Sequence, residues 1–165
     1  MNHHSSLPEG AGDDAYLSEF EMRRAFELLF YAYRDFTAEP DALLARFGFG
    51  RAHHRVIYFV KVNPEITVNR LLDILKITKQ SLSRVLGQLV REGFIAQETD
   101  AGDRRRRMLT LTAKGEDLER QLTACQSIRV GRAYRAAGRD AVVGFKQVLL
   151  AMINDEDRER FALNP

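Results

Sequence analysis

The stretch from Ile66 to Thr112 constrains the fold more than any other part of the chain. Thr67 is a predicted N-cap, and the residues after it carry an apolar stripe at helical spacing: Val68, Leu71, Leu72 and Leu75. Lys76-Ile77 forms a turn, and Thr78 caps a second helix that Gly93 ends. Two short helices joined by a tight turn predict a helix-turn-helix.

The second of these helices, predicted from Thr78 to Glu92, has two contrasting faces. Its apolar stripe consists of Leu82, Val85, Leu86, Leu89 and Val90. Its opposite face carries Lys79, Gln80, Ser81, Ser83, Arg84, Gly87, Gln88 and Arg91. A solvated helix usually mixes charges of both signs, whereas this face has no carboxylate before Glu92. Donors and amides of this kind suit the phosphates and base edges of a nucleic-acid groove. The alternative is an ordinary solvated face.

A basic hairpin is predicted directly after the second helix. Strands are expected over Phe94 to Thr99 and Arg106 to Leu111, with turn residues between them: Asp100, Gly102 and Asp103. Four consecutive arginines follow the turn: Arg104, Arg105, Arg106 and Arg107. Side chains alternate between the faces of a strand, so only one or two of the four can enter a groove. The others would meet phosphates. Thr112 then caps another helix.

The flanking segments are predicted to be helical and rich in apolar residues. Seven of the 15 aromatic residues lie between Tyr16 and Phe36, in a helix that Asp13 or Asp14 would cap. Pro40 is expected to start a separate short helix, and Gly48-Phe49-Gly50 to form a flexible joint. The later helices, about Ala113 to Gly138 and Asp140 to Ile153, end in a segment that is apolar on several sides. Burial against a second copy or an ordinary core would explain such surfaces.

Charge is distributed unevenly along the chain. Residues 1–47 carry 4 basic and 9 acidic side chains, residues 48–114 carry 13 and 6, and residues 115–165 carry 8 of each. The basic middle third indicates a polyanionic partner. The alternative is a solvated basic face with no partner. No apolar run reaches the ~20 residues that span a bilayer, and a single cysteine fits a reducing cytoplasm. We therefore predict a cytoplasmic, nucleoid-associated protein with no membrane partner.

The fold class expected is mainly α with a small β-wing, a winged helix-turn-helix flanked by dimerisation helices. Residues 1–12 are predicted to be a disordered tail, and residues 13–47 to hold N-terminal helices that contribute to dimerisation. Residues 48–112 would form the DNA-binding domain, and residues 113–165 the C-terminal dimerisation helices.

The chain resembles the MarR family of bacterial transcription regulators from about Phe20 to Ile153. Three segments carry the resemblance: TKQSLSRVL from Thr78, the wing DRRRRMLTLT from Asp103, and LTAKG from Leu111. The segment FGFGRAHHRV, from Phe47 to Val56, is similar to the PetP-like branch of that family.

The resemblance implies a triangular homodimer that binds double-stranded DNA at a near-palindromic operator, most often as a repressor. One recognition helix per subunit would enter a major groove, and Arg105, oriented by Asp103, would enter the neighbouring minor groove. The predicted DNA-binding residues are Thr78, Lys79, Gln80, Ser81, Ser83, Arg84, Gln88, Asp103, Arg104, Arg105, Arg106 and Arg107. A small-molecule effector would bind a cleft that includes Tyr33, His53, His54 and Ile57 and change the spacing of the two helices.

The sequence gives little support for a metal, redox or catalytic role. His53 and His54 are adjacent, so on a helix they point about 100° apart and chelate one ion poorly. Some members of the family do bind zinc near this helix, but packing or a place in the cleft is the simpler role here. Cys125 is expected to be a buried small residue rather than a peroxide sensor. No cofactor, metal or catalytic residue is predicted. The alternative to a DNA-binding regulator is a winged-helix module that binds only protein.

Overall fold

A computed structural model describes residues 14–99 and 107–162 of the chain. Within those residues the chain forms a 3-10 turn, seven α-helices and one small sheet. The elements are the turn Ala15–Leu17, α1 Glu19–Ala45, α2 Arg51–Val62, β1 Ile66–Thr67, α3 Val68–Leu75, α4 Lys79–Arg91, β2 Ile95–Thr99, β3 Arg107–Leu111, α5 Ala113–Ala137, α6 Arg139–Met152 and α7 Asp155–Ala162. The predicted class, α with a small β-wing, is confirmed.

Helix starts follow local capping chemistry. Thr67, Thr78 and Thr112 each accept a hydrogen bond from the backbone N–H three residues later, as predicted. For α1 the prediction is wrong: Ser18 is the cap and accepts from the Glu21 N–H, whereas Asp14 makes no side-chain cap bond. Asp13 and the predicted tail lie outside the described residues.

Pro40 does not start a separate helix, because α1 continues through it to Ala45. Proline removes one helical N–H and crowds the preceding turn, so an interior proline is normally costly. Here Pro40 is fully buried, and burial in the core offsets the lost hydrogen bond. Local preference predicted a break, and tertiary packing prevented it.

The segment Gly48-Phe49-Gly50 is a fixed corner rather than a flexible joint. Gly48 has a φ of +66°, a left-handed conformation that glycine adopts without strain. Its neighbour Phe49 is only 6% exposed, and its N–H donates to the Leu44 carbonyl at 3.1 Å. A buried aromatic ring therefore holds the α1–α2 corner in place.

The sheet has three antiparallel strands in the order β1-β3-β2. The predicted hairpin is present, with Ile95 opposite Leu111 and Thr99 opposite Arg107. Sequence patterning missed β1, a two-residue strand in which Ile66 pairs with Leu109. This strand joins the start of α3 to the wing.

One continuous core holds the helix-turn-helix to its neighbours. It contains residues from α2, α3, α4 and the sheet, together with Leu44 of α1 and Leu118 and Leu122 of α5. The outer helices differ. The first half of α1 and the whole of α6 have no buried residue in the single chain, although both are rich in apolar side chains.

Candidate nucleic-acid interface

The helix-turn-helix has the geometry that its sequence predicts. Lys76 takes the left-handed conformation, with a φ of +50°, and turns the chain between α3 and α4. Leu82, Val85 and Leu89 anchor one face of α4 in the core. The opposite face is therefore turned outward, which is the orientation a recognition helix needs.

The predicted residues of α4 divide into exposed groups and groups that have partners within the chain. Lys79, Gln80, Ser83 and Arg84 are exposed. Ser81 is exposed too, but its Oγ accepts a 2.9 Å hydrogen bond from Thr78 Oγ1, which also accepts from the Ser81 N–H. Thr78 and Ser81 thus build the start of the helix as well as facing outward.

Gln88 is the one predicted residue of α4 that is half-buried and engaged at both ends of its amide. Its Oε1 lies 3.0 Å from His53 Nε2, and its Nε2 donates to Glu92 Oε1 at 2.9 Å. Gln88 is among the predicted DNA-binding residues, and both polar atoms of its amide have partners within the chain.

A groove of ≈ 660 Å³ runs between α4, the start of α3 and the wing strands. Lys79 and Ser83 line it from α4, and Arg107 lines it from β3. The sequence prediction omitted Asn69, Arg91 and Gln97, which also line it. The sequence does place Arg91 on the polar face of α4, because a four-residue spacing relates it to Lys79 and Ser83.

The remaining wing residues, Asp103, Arg104, Arg105 and Arg106, lie outside the described residues. The strands on both sides are in register up to the pair of Thr99 and Arg107. The described part of the candidate interface thus consists of the outer face of α4, the groove beside it and the base of the hairpin.

A second cavity, of ≈ 610 Å³, lies between α1, α2 and α5. Two of the four residues predicted for the effector cleft, Tyr33 and His54, line this cavity. His53 and Ile57 do not: His53 points towards α4, and Ile57 is fully buried in the core. Adjacent helical residues diverge by about 100°, so α2 cannot direct all of these side chains to one cavity.

The cavity is lined by both charged and aromatic side chains. Arg51 donates to Asp41 Oδ2 at 2.8 Å, and its guanidinium lies 5.3 Å from the centre of the Tyr33 ring. Arg55 donates to the Tyr33 hydroxyl at 3.3 Å. The other lining residues include Phe36, Tyr58, Val130 and Tyr134. Sequence patterning missed the two arginines, because only the tertiary fold brings α2 beside Tyr33.

Burial lowers the pKa of His54 below that of an ordinary histidine, against the opposing effects of the Asp41 and Glu119 carboxylates. A neutral imidazole is favoured there because a half-buried position stabilises charge poorly. Burial likewise raises the pKa of the Cys125 thiol, which donates to the Leu122 carbonyl at 3.0 Å. A thiol of this kind is a weak nucleophile.

Two further features of the described residues bear on other functions. Across residues 14–99 and 107–162, no three histidine, cysteine, aspartate or glutamate side chains are grouped so as to hold a metal ion. In the same part of the chain, none of the helices combines the length and the apolar character needed to cross a bilayer.

Comparison with known proteins decides the family. The HTH-type transcriptional regulator PetP of Rhodobacter capsulatus is 45% identical over 148 residues, covering 90% of this chain and 89% of that protein. A family model described as MarR family matches residues 47–106. The chain belongs to the MarR family. The predicted resemblance, including its PetP-like branch, is thus confirmed, and the chain is a transcription regulator of the helix-turn-helix type.

Solved structures of MarR-family proteins have the same fold. A MarR family transcription regulator superimposes with a TM-score of 0.70 at 19% identity, covering 88% of this chain and 95% of that one. Streptococcus pneumoniae FabT in complex with DNA gives a TM-score of 0.71 at 20% identity, covering 79% of this chain and 94% of that one. At such identities the likeness concerns the fold.

Proposed function

We propose that this MarR-family regulator binds double-stranded DNA as a homodimer and represses transcription from a near-palindromic operator. The observation that carries the proposal is the outer face of α4. Lys79, Gln80, Ser83 and Arg84 are exposed there, beside a groove that Arg91 and Arg107 also line. Arginine and glutamine are the side chains that pair with guanine and adenine edges, and lysine suits phosphates.

The wing completes the proposed contact. Arg107 lies at the base of the hairpin and is the last of four consecutive arginines in the sequence. We assign Arg105 to the minor groove, where the negative potential attracts arginine, and Asp103 to orienting its guanidinium. Arg104 and Arg106 would contact phosphates, as would Arg107.

Exposed apolar side chains on the outer helices support a homodimer. Phe20, Phe26 and Phe30 of α1 are 70%, 64% and 63% exposed in the single chain. Val148 and Met152 of α6 are each 58% exposed. Clusters of large apolar side chains seldom face water, so a second copy is the proposed cover. Residues 13–47 and 113–165 are the proposed dimerisation parts, and residues 48–112 the proposed DNA-binding part.

The cavity between α1, α2 and α5 is the proposed effector site. Its volume falls within the range of ligand pockets, and apolar walls with a few polar groups are typical of such sites. α2 contributes both to the cavity wall and to the core of the helix-turn-helix. An occupant would therefore alter the spacing of the two recognition helices and lower DNA affinity. A regulator of this kind acts on the nucleoid, in the cytoplasm.

Fluorescence anisotropy with the promoter DNA of the protein's own gene tests the proposal. A specific regulator binds its site ~10³-fold or more tightly than random DNA at the same salt concentration. We expect the unmodified protein to prefer the promoter to a scrambled duplex by at least that factor. Equal affinity for the two duplexes contradicts a specific operator in that region, and no binding at low salt contradicts DNA binding altogether in favour of a protein-docking module.

Three alanine variants sharpen this test. Arg84→Ala should lose about 1–3 kcal/mol of promoter binding and relax base preference, as expected for a base contact. Arg105→Ala should lose a similar amount. Arg120→Ala is the matched control, because Arg120 is exposed on α5 and paired with Asp117, away from α4. It should bind the promoter like the unmodified protein.

A further inference from the structure

His53 stands out because both nitrogens of its ring have partners on different elements. The Gly50 N–H lies 3.1 Å from His53 Nδ1, at the start of α2. His53 Nε2 lies 3.0 Å from Gln88 Oε1, on α4. The ring also stacks on Phe49, with the ring centres 4.6 Å apart and the planes 11° from parallel. One side chain thus contacts the α1–α2 corner, caps α2 and reaches the recognition helix.

The direction of every hydrogen bond in this group follows from the partners. A backbone N–H can only donate, so His53 Nδ1 must accept and the ring proton must be on Nε2. At the other end, the Glu92 carboxylate accepts from Gln88, so the amide nitrogen faces Glu92 and the amide oxygen faces His53. The result is a chain of donors from α2 to the end of α4, with each polar atom used once.

The end of α4 also has polar contacts with the start of α5. Lys114 Nζ donates to the Glu92 carbonyl at 2.8 Å and lies 4.1 Å from the centre of the Phe94 ring. Thr112 Oγ1 donates to the Gly93 carbonyl at 2.6 Å. The C-terminal end of the recognition helix is therefore fixed between α2 and the start of α5 by polar contacts.

Hydrogen bonds can fix the rotation and axial position of α4, whereas apolar packing alone cannot. Leu82, Val85 and Leu89 bury one face of α4, but hydrophobic contacts are non-directional and tolerate small rotations and shifts. A hydrogen bond weakens steeply when its donor angle changes. The link from His53 to Gln88 therefore restricts the rotation and axial position of α4, on which the reach of Ser83 and Arg84 depends.

We propose that His53 is a positioning residue for DNA recognition, which acts through Gln88 on the placement of α4. The inference rests on the proposed function, since there α4 is the helix that reads DNA. The same contact would also couple changes at the cavity to the position of α4. Arg51, His54 and Arg55, on the same two turns of α2, line the cavity, so a shift of this segment would be transmitted through His53.

A double-mutant cycle on promoter binding tests the link. His53→Phe keeps an aromatic ring to stack on Phe49 but removes both hydrogen bonds, and Gln88→Met keeps the side-chain length without the amide. We expect each single variant to lower the preference for promoter over scrambled DNA about tenfold, equal to about 1.4 kcal/mol. The double variant should lose no more than one single variant, because both remove the same link.

Two controls separate positioning from general damage. Ser83→Ala, which removes a hydroxyl from the outer face of α4, should add its loss fully to that of His53→Phe. Binding to scrambled DNA should stay within about twofold for His53→Phe, because His53 is not a proposed DNA contact and phosphate contacts tolerate small shifts of the helix. Additive losses for His53→Phe and Gln88→Met, or an unchanged promoter preference, would overturn the proposal.

A nitrogen-15 NMR measurement in the absence of DNA supplies an independent readout. At pH 8, where an ordinary imidazole is neutral, long-range spectra should place the His53 proton on Nε2. Gln88→Met should shift the His53 Nε2 resonance and leave that of His54 unchanged. A proton on Nδ1, or a His53 resonance that ignores the substitution, would show that the link is absent. If NMR shows the hydrogen bond between His53 and Gln88 but the protein binds no DNA, both the proposed function and the positioning role are wrong. The NMR result then shows that the error lies in DNA binding and not in the hydrogen bond.

Discussion

The helix-turn-helix and the outer helices differ in how far they bury their apolar residues. The helix-turn-helix buries its leucines and valines within the chain, and Leu71, Leu82 and Leu89 are at most 1% exposed. The outer helices are as rich in apolar side chains, yet Phe30 of α1 and Val148 of α6 stay more than half exposed. Among the described residues, the first region is complete in one copy of the chain, whereas the second leaves apolar surface exposed, and we propose that a second copy covers it. The four predictions that follow test this difference.

The largest effect is expected where the complete region is most tightly packed. A Cβ atom built on Gly115 would lie 2.0 Å from the Phe94 carbonyl oxygen, which is backbone and has little freedom to move. Gly115→Ala should therefore force α5 away from the wing and cost about 3 kcal/mol or more of unfolding free energy. Denaturant unfolding measures this loss.

Gly144→Ala is the matched control on α6. A Cβ atom there meets nothing within 4 Å, and alanine is the better helix former by about 1 kcal/mol. We expect unchanged or slightly raised stability. If Gly115→Ala unfolds at the same denaturant concentration as the unmodified protein, α5 does not pack against Phe94 as closely as described.

The second prediction concerns the surface of the outer helices. Phe30→Glu should weaken self-association at least 100-fold, because a carboxylate would have to be desolvated in an apolar interface. Light scattering coupled to size-exclusion chromatography should then report the mass of one chain at concentrations where the unmodified protein has twice that mass. Val62→Glu, at a 51% exposed position at the end of α2, should leave the mass unchanged. Equal masses for Phe30→Glu and the unmodified protein would exclude this face as the interface.

The regular parts of the fold were predictable because their signals are local. Thr67, Thr78 and Thr112 cap helices through their own side chains, and Gly93 ends α4 with a φ of +75°. The errors have tertiary causes. Pro40 stays helical because the core buries it, and β1 exists only because Ile66 meets Leu109.

The candidate site was predictable to a similar extent. Helical periodicity identified the outward face of α4, including Lys79 and Arg84, because residues three or four positions apart lie on the same face of a helix. It could not show that Gln88 is engaged, because His53 is 35 residues away in sequence. Nor could it show that Arg51 and Arg55 line the cavity while Ile57 does not, since this depends on how α2 is rotated against α1 and α5.

A smaller effect is expected at the cavity, where the two regions meet. Burial lowers the pKa of His54 in the folded chain, so below the ordinary histidine pKa of about 6.5 the unfolded chain binds more protons at this residue. Its contribution to stability is therefore constant above that pH and falls as the pH drops towards the lowered folded pKa. His54→Gln should reduce the loss of unfolding free energy between pH 7.5 and pH 5.5. If His54→Gln and the unmodified protein lose the same unfolding free energy between pH 7.5 and pH 5.5, a buried neutral His54 is contradicted.

The smallest effect is expected at Cys125, which is half-buried on α5. Because burial raises its pKa, less thiolate is present than in a free cysteine at the same pH. Its reaction with a disulfide reagent at pH 8 should be several-fold slower than that of free cysteine and should accelerate in denaturant. Cys125→Ala should bind promoter DNA within about twofold of the unmodified protein. A reaction faster than that of free cysteine would instead point to an activated, redox-sensitive thiol.

The most direct test of the central claim is a hydroxyl-radical footprint of the protein on its promoter DNA. A dimer that uses two copies of α4 should protect two patches on one face of the duplex, centred about one helical turn apart. The two patches should be related by two-fold symmetry in sequence, and Phe30→Glu should abolish both together. A single protected patch that survives Phe30→Glu would contradict the account, because one complete helix-turn-helix would then suffice without the surface that the outer helices leave exposed.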